Sequence, residues 1–140
     1  MRFIFILSFL TNPMKIAIDT NIFIYSSRFR LDIFSRLRGN EICATDSVMR
    51  ELEKISKGES RDAKAAALGL DILIKREKDG SIKILKTKTA NADFGLLELG
   101  KSGYAVITQD RELLKRLKAA GCVFGYIKQK KYFAFEGIFK

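Results

Sequence analysis

Two short apolar runs, Lys15–Ile18 (KIAI) and Tyr104–Ile107 (YAVI), each lead into a polar segment carrying an aspartate: Asp19 directly after the first, Asp110 three residues after the second. Runs this short and this apolar read as strands buried on both faces. Between and beyond them the hydrophobic spacing changes to that of helices. Asn21 to Arg38 reads as helix, broken near Ser26 and Ser27, and Glu41–Ala44 as a second strand. Thr45 or Asp46 caps a helix with Val48, Leu52 and Ile55 at helical spacing. Ser60 caps a longer one from Arg61 to Lys78, stopped at Asp79-Gly80. Ser81–Leu85 reads as strand and Asn91–Leu99 as helix; Arg111–Ala120 is a basic amphipathic helix, Cys122–Ile127 a strand, and Tyr132–Phe135 a last edge strand. Alternation of this kind predicts an α/β fold, a three-layer α/β/α sandwich around a mainly parallel sheet. Such sheets bind ligands beyond the carboxyl ends of their strands, where Asp19 and Asp110 fall.

The 140 residues suit one domain. Residues 14–140 are read as that domain. Residues 1–13 (MRFIFILSFLTNP) are read as an N-terminal extension, with translation expected to start at Met14. The stretch is too short to span a bilayer, and it lacks the small-residue cleavage site of a signal peptide.

Histidine is absent. That excludes Ser-His-Asp and Cys-His sites and zinc sites with imidazole ligands, so acid–base or metal work falls to carboxylates. The cysteines, Cys43 and Cys122, are far apart, each in an expected strand. They read as buried, reduced thiols of a cytoplasmic protein. The net charge of +10 points to an anionic partner, with an ordinary solvated basic surface as the alternative.

Asp93, at the start of a helix, and Glu51, one turn into another, are candidates to join Asp19 and Asp110. Singly, each has a structural reading: the aspartates as helix caps or first-turn residues, Glu51 as the partner of Lys54 or Lys57. Together they would repel one another strongly, and a divalent cation resolves that. Mg²⁺ or Mn²⁺ prefers all-oxygen ligands and activates water for phosphodiester hydrolysis. A basic surface around an acidic pocket suits the cutting of a polyanion.

These segments resemble those of PIN-domain nucleases. MKIAIDTNIFIY is similar to their first block, with Asp19, Thr20 and Asn21. TDSVMRELEKI is similar to the second, with Glu51 at the acidic position. NADFGLLELG is similar to the third, with Asp93, and VITQDRELLKRL to the fourth, with Thr108 and Asp110. The resemblance implies a Mg²⁺- or Mn²⁺-dependent endoribonuclease leaving 5′-phosphate and 3′-hydroxyl ends. Asp19, Asp93 and Asp110 would be metal ligands, Glu51 would position metal or water, and Asn21 and Thr108 would orient the carboxylates. Two features depart from the family: Phe94 stands where many relatives carry a second Asp, and Gly95 and Gly100 replace the usual Ala.

The stretch GCVFGYIKQKKYFAFEG is similar to the tail of stand-alone PIN proteins related to rRNA-processing nucleases, more than to VapC toxins. The expected partner is RNA, held by Arg111, Lys128, Lys130 and Lys131. An antitoxin or a ribosome-assembly protein is the possible protein partner, and a homodimer is expected from the family. A membrane is not expected. Alternatives are a VapC-type toxin, a non-catalytic RNA-binding scaffold, and a phosphatase with an Asp nucleophile. The last typically needs a second Asp where Asn21 stands. No GxxxxGK[ST] or GxGxxG loop supports a nucleotide-binding reading.

Overall fold

The computed structural model describes residues 3–6 and 13–137. In chain order its elements are β1 (Phe3–Ile6), β2 (Lys15–Ile18), α1 (Thr20–Phe29), α2 (Ile33–Arg36), β3 (Glu41–Thr45), α3 (Asp46–Ser56), α4 (Ala63–Lys78), β4 (Lys83–Leu85), α5 (Ala92–Lys101), β5 (Ala105–Ile107), α6 (Arg111–Ala119), β6 (Phe124–Lys128) and β7 (Tyr132–Gly137).

The strands form one sheet in the order β1-β7-β6-β5-β2-β3-β4. From β6 to β4 every neighbouring pair is parallel; β7 is antiparallel to both β6 and β1. The chain builds outward from β2 to β3 and β4, then returns to β5 on the other side of β2. Right-handed crossovers therefore place α1 to α4 on one face and α5 and α6 on the other. The contacts agree: α4 packs on α1 and α3, and α5 on α6. This is the α/β/α sandwich expected from the sequence. The order reverses between β2 and β5, so a crevice opens at their carboxyl ends.

The core explains the apolar runs. Ile16, Ala17 and Ile18 of β2 and Val106 and Ile107 of β5 have no accessible surface. Ile22, Phe23, Val48, Leu52 and Leu73 close one face, and Leu96, Leu113 and Leu117 close the other.

Several element boundaries differ from the sequence reading. The first helical stretch breaks at Arg30 rather than at Ser26-Ser27. Ser27 Oγ donates to the Phe23 carbonyl inside the helix, so the hydroxyl is satisfied without a break. Arg30 is left-handed (φ 55°), and Leu31 N–H returns to the Ser26 carbonyl. Thr45 is the cap of α3, accepting Val48 N–H at 3.1 Å, while Asp46 lies in the first turn. Ser60 does not cap α4 through its side chain; Asp62 is the N-cap residue, and its carboxylate bonds to Arg28 rather than capping the helix. Cys122 precedes β6 rather than lying in it; like Cys43, it is buried. Burial pushes the Cys43 thiol up to about 12, which keeps it protonated.

Tyr132–Phe135 lies inside β7 and is not at the sheet edge, because β1 pairs along its outer side in register from Phe3↔Gly137 to Ile6↔Ala134. Residues 3–6 come from the stretch read as an extension; the rest of that stretch before Pro13 lies outside the described residues. Among the described residues no helix is long and apolar enough to cross a membrane.

Candidate active site

Asp19 leaves β2 with extended backbone (φ −78°, ψ 159°) and caps α1, its Oδ1 accepting Thr20 N–H at 2.7 Å. Its other oxygen, Oδ2, accepts the Thr108 hydroxyl at 2.6 Å and Asn21 Nδ2 at 3.0 Å. Asn21 in turn accepts Gln109 N–H at 3.0 Å. The Thr108 oxygen accepts Asp110 N–H at 3.0 Å and Asn21 Nδ2 at 3.2 Å. One network thus ties the ends of β2 and β5 together at the reversal point of the sheet. Gln109 extends it to β6: its amide receives Ile127 N–H at 2.6 Å and donates to the Ile127 carbonyl at 3.2 Å.

Asp110 caps α6, with Oδ1 accepting Glu112 N–H at 2.9 Å and Leu113 N–H at 3.3 Å. Asp93 stands in the first turn of α5, where Asn91 makes the cap. The structural reading of the three aspartates is therefore correct in position: two caps and one first-turn residue. It does not exhaust them, because the caps occupy only part of each carboxylate and the four acids also act on one another.

Electrostatics joins the set. Asp19 is buried, and loss of hydration raises its pKa from 3.8 to about 6; the Thr108 and Thr20 bonds oppose the rise, and Asp93 and Glu51 add to it. Glu51 is exposed by surface area, yet loss of hydration raises its pKa, with Asp93 contributing and Lys54 opposing. Asp93 is raised by loss of hydration and then by Asp110, with Arg116 opposing. Among the described residues, none of the four forms an ion pair with Lys or Arg.

A buried carboxylate with acidic neighbours and no paired cation suits a hard divalent ion. Among the described residues no three acidic side chains converge closely enough to hold a metal by themselves.

The second acidic block carries a tie that the sequence reading missed. Asp46 Oδ1 accepts the Thr87 N–H at 3.1 Å and the Thr87 hydroxyl at 2.9 Å, and Ser47 Oγ donates to the Thr89 carbonyl. These bonds fix the loop before α5, and hence Asp93, against the start of α3. Their signal was the polar pair Asp46-Ser47 after an apolar strand, facing a threonine-rich loop.

The basic residues also reach this edge. Arg111 is the first residue of α6, next to Asp110. Lys128 ends β6, so the Lys128–Lys131 turn lies beyond the same carboxyl ends as the acids. Lys128, Lys130 and Lys131 are exposed, and Lys130 Nζ stands 4.7 Å from the Phe29 ring centroid. Phe133 and Phe135 are core residues. A cavity of about 580 Å³ between α1, α2 and α4, floored by Phe23, Leu31 and Ile33, contains none of the four carboxylates.

Comparison with known proteins agrees with this geometry. Residues 16–130 match the PIN-like domain family. The chain is 31% identical over 126 residues to Ribonuclease VapC9 of Archaeoglobus fulgidus, covering 86% of this chain and 88% of that one. Its fold is similar to that of the PIN domain endonuclease Utp24 (TM-score 0.67, 24% identity, covering 86% of this chain and 90% of that one). It is also similar to a domain of a functionally unknown protein from Methanocaldococcus jannaschii (TM-score 0.61, 19% identity, covering 82% and 91%). The acidic blocks, the sheet order and these matches together show that the chain belongs to the PIN-domain family of nucleases.

Proposed function

We propose that this chain is an endoribonuclease that hydrolyses RNA phosphodiester bonds at the carboxyl edge of β2 and β5 with Mg²⁺ or Mn²⁺. The observation that carries this reading is Asp19: a buried carboxylate at the sheet reversal point, held by Thr108 and Asn21, facing other acids without a paired cation. Asp19, Asp93 and Asp110 hold the ion and Glu51 orients water. Thr108 and Asn21 keep the Asp19 carboxylate turned toward the crevice. A bound ion supplies a water of lowered pKa and countercharge for the phosphodiester. Arg111, Lys128, Lys130 and Lys131 neutralise phosphates of the strand on either side of the cut.

The test is cleavage of RNA with Mn²⁺, with EDTA, and by Asp19→Asn. Cleavage only by the native protein with Mn²⁺ supports the reading; activity in EDTA, or full activity in the variant, overturns it. RNA binding without cleavage under any condition marks a scaffold instead.

We favour a role in rRNA processing, in the cytoplasm, with a ribosome-assembly partner. A second reading, the toxin of a toxin–antitoxin pair cutting tRNA or mRNA, draws support from the similarity to VapC9. Growth arrest on expression, relieved by the product of an adjacent gene, selects the toxin. Accumulation of rRNA precursors on depletion selects processing.

A further inference from the structure

Phe94 follows Asp93 in the first turn of α5, and 52% of its surface is exposed; among the described residues only it and Leu68 are large apolar side chains this open. Leu68 lines the cavity beside α4. Phe94 instead sits in the first turn of α5, next in sequence to Asp93, where the chain has left the carboxyl end of β4.

Its backbone is fixed. Asn91 Oδ1 accepts Phe94 N–H at 3.1 Å. At Gly95 an added Cβ would stand 3.3 Å from Thr87 Cγ2, so this turn lies flush on Thr87, which Asp46 holds by two hydrogen bonds. A flat apolar ring on an anchored turn is a stacking platform, and nucleobases are the part of RNA with an apolar face to offer.

Resting on the endoribonuclease reading, we propose that Phe94 stacks on an unpaired base beside the scissile phosphate. Phe94 is then a specificity-determining residue: it holds the strand in register while the carboxylates act on the neighbouring phosphate. A base locked in a duplex has no free face for the ring.

The experiment is steady-state cleavage of a single-stranded RNA with Mn²⁺ by the native protein, Phe94→Ala, Phe94→Leu and Phe94→Trp. An RNA abasic at the nucleotide beside the cut is run in parallel. Phe94→Ala and Phe94→Leu are expected to raise KM roughly tenfold with kcat little changed, and Phe94→Trp to restore it. With the abasic RNA the native protein should already show the raised KM, and Phe94→Ala should add nothing. A readout without cleavage uses Asp19→Asn: a 2-aminopurine at that nucleotide should lose fluorescence on binding, and should keep it when Phe94→Ala is added. Normal cleavage with unchanged KM in Phe94→Ala overturns the stacking alone and leaves the ribonuclease intact. No cleavage by any variant, native included, overturns the ribonuclease reading itself. A change of oligomeric state in Phe94→Ala with unchanged KM marks the ring as a self-association contact and also overturns stacking.

Discussion

Thr108 Oγ1 lies 2.6 Å from Asp19 Oδ2 and receives the Asp110 amide at 3.0 Å, so one hydroxyl sets the position of two acids from different strands. It is fully buried, so nothing replaces it when it is removed. Thr108→Val is therefore expected to cost about 2–3 kcal/mol, because it removes one of the two side-chain hydrogen bonds to a buried carboxylate oxygen and takes the acceptor from the Asp110 N–H. The same hydroxyl lowers the pKa of Asp19, so its loss should move the acid limb of the activity profile to higher pH. Thr108→Ser keeps the hydroxyl and should stay near the native values. Urea midpoints and pH–rate profiles of the pair check this; a valine variant with native stability and an unshifted profile refutes it.

The raised pKa of Asp19 makes a signed prediction for the metal-free protein. Its folded value is about 6 against an ordinary 3.8, so the folded state holds the proton more tightly than the unfolded one. The stability this contributes is full below the ordinary value and is lost as pH rises through about 6. Because the residue is buried, the loss is about 3 kcal/mol at most, at roughly 1.4 kcal/mol per tenfold change in proton affinity. Glu51 and Asp93 are shifted in the same direction and add to the slope. In EDTA, native protein should lose stability relative to Asp19→Asn between about pH 4 and pH 6.5, with little further change above. Mn²⁺ should reverse the trend, since it binds the deprotonated acids. Parallel curves for the two proteins in EDTA would contradict the burial argument.

The strands nearest the site were legible because their signal is local: Ile16–Ile18 and Ala105–Ile107 are apolar throughout, and burial on both faces requires that. The four acids were legible only as strand ends and helix starts; what joins them is tertiary. Gln109 shows the limit. Nothing in Ile107-Thr108-Gln109-Asp110 reveals that its amide pairs both ways with Ile127 across the gap between β5 and β6. The position of β7 was missed for a similar reason, since its outer neighbour β1 lies more than a hundred residues away in the chain. The helix break was misplaced because Ser27 bonds within its own helix, a choice between two local partners that composition does not decide.

Gly100, a weak point of α5 by helix propensity, is required by packing. A Cβ there would stand 2.8 Å from Leu117 Cδ2 and 3.2 Å from Cys122 Sγ, and Leu117 is fully buried. Overpacking costs about 1–3 kcal/mol, while alanine regains about 1 kcal/mol of helix propensity. Gly100→Ala should therefore lose roughly 1 kcal/mol in a urea titration. Gly95→Ala meets the Thr87 methyl at 3.3 Å and otherwise only ordinary contacts with Thr87 and Thr89, and should fall near zero. Equal effects at the two sites would show that the α5–α6 contact yields more than its burial suggests.

The turn after β6 sets the last expectation. Gln129 and Lys130 are both left-handed (φ 55° and 57°), which turns the chain within the three-residue connection of β6 and β7, where Lys131 N–H closes on the Lys128 carbonyl at 3.2 Å. Replacing Lys128, Lys130 and Lys131 by Glu should weaken binding of single-stranded RNA. If each lysine neutralises one phosphate, the slope of log K against log salt should flatten by roughly 2, at about 0.7 per contact. Lys130 has a second role, since its ammonium lies over the Phe29 ring. Its reversal alone should also lower stability, by about 0.5–1 kcal/mol, whereas Lys128→Glu and Lys131→Glu should not. Anisotropy titrations of an RNA at several salt concentrations, beside thermal melts of the single variants, separate the two effects. An unchanged salt slope in the triple variant would move the RNA path away from this hairpin, leaving Arg111 and the rest of α6 as its cationic wall.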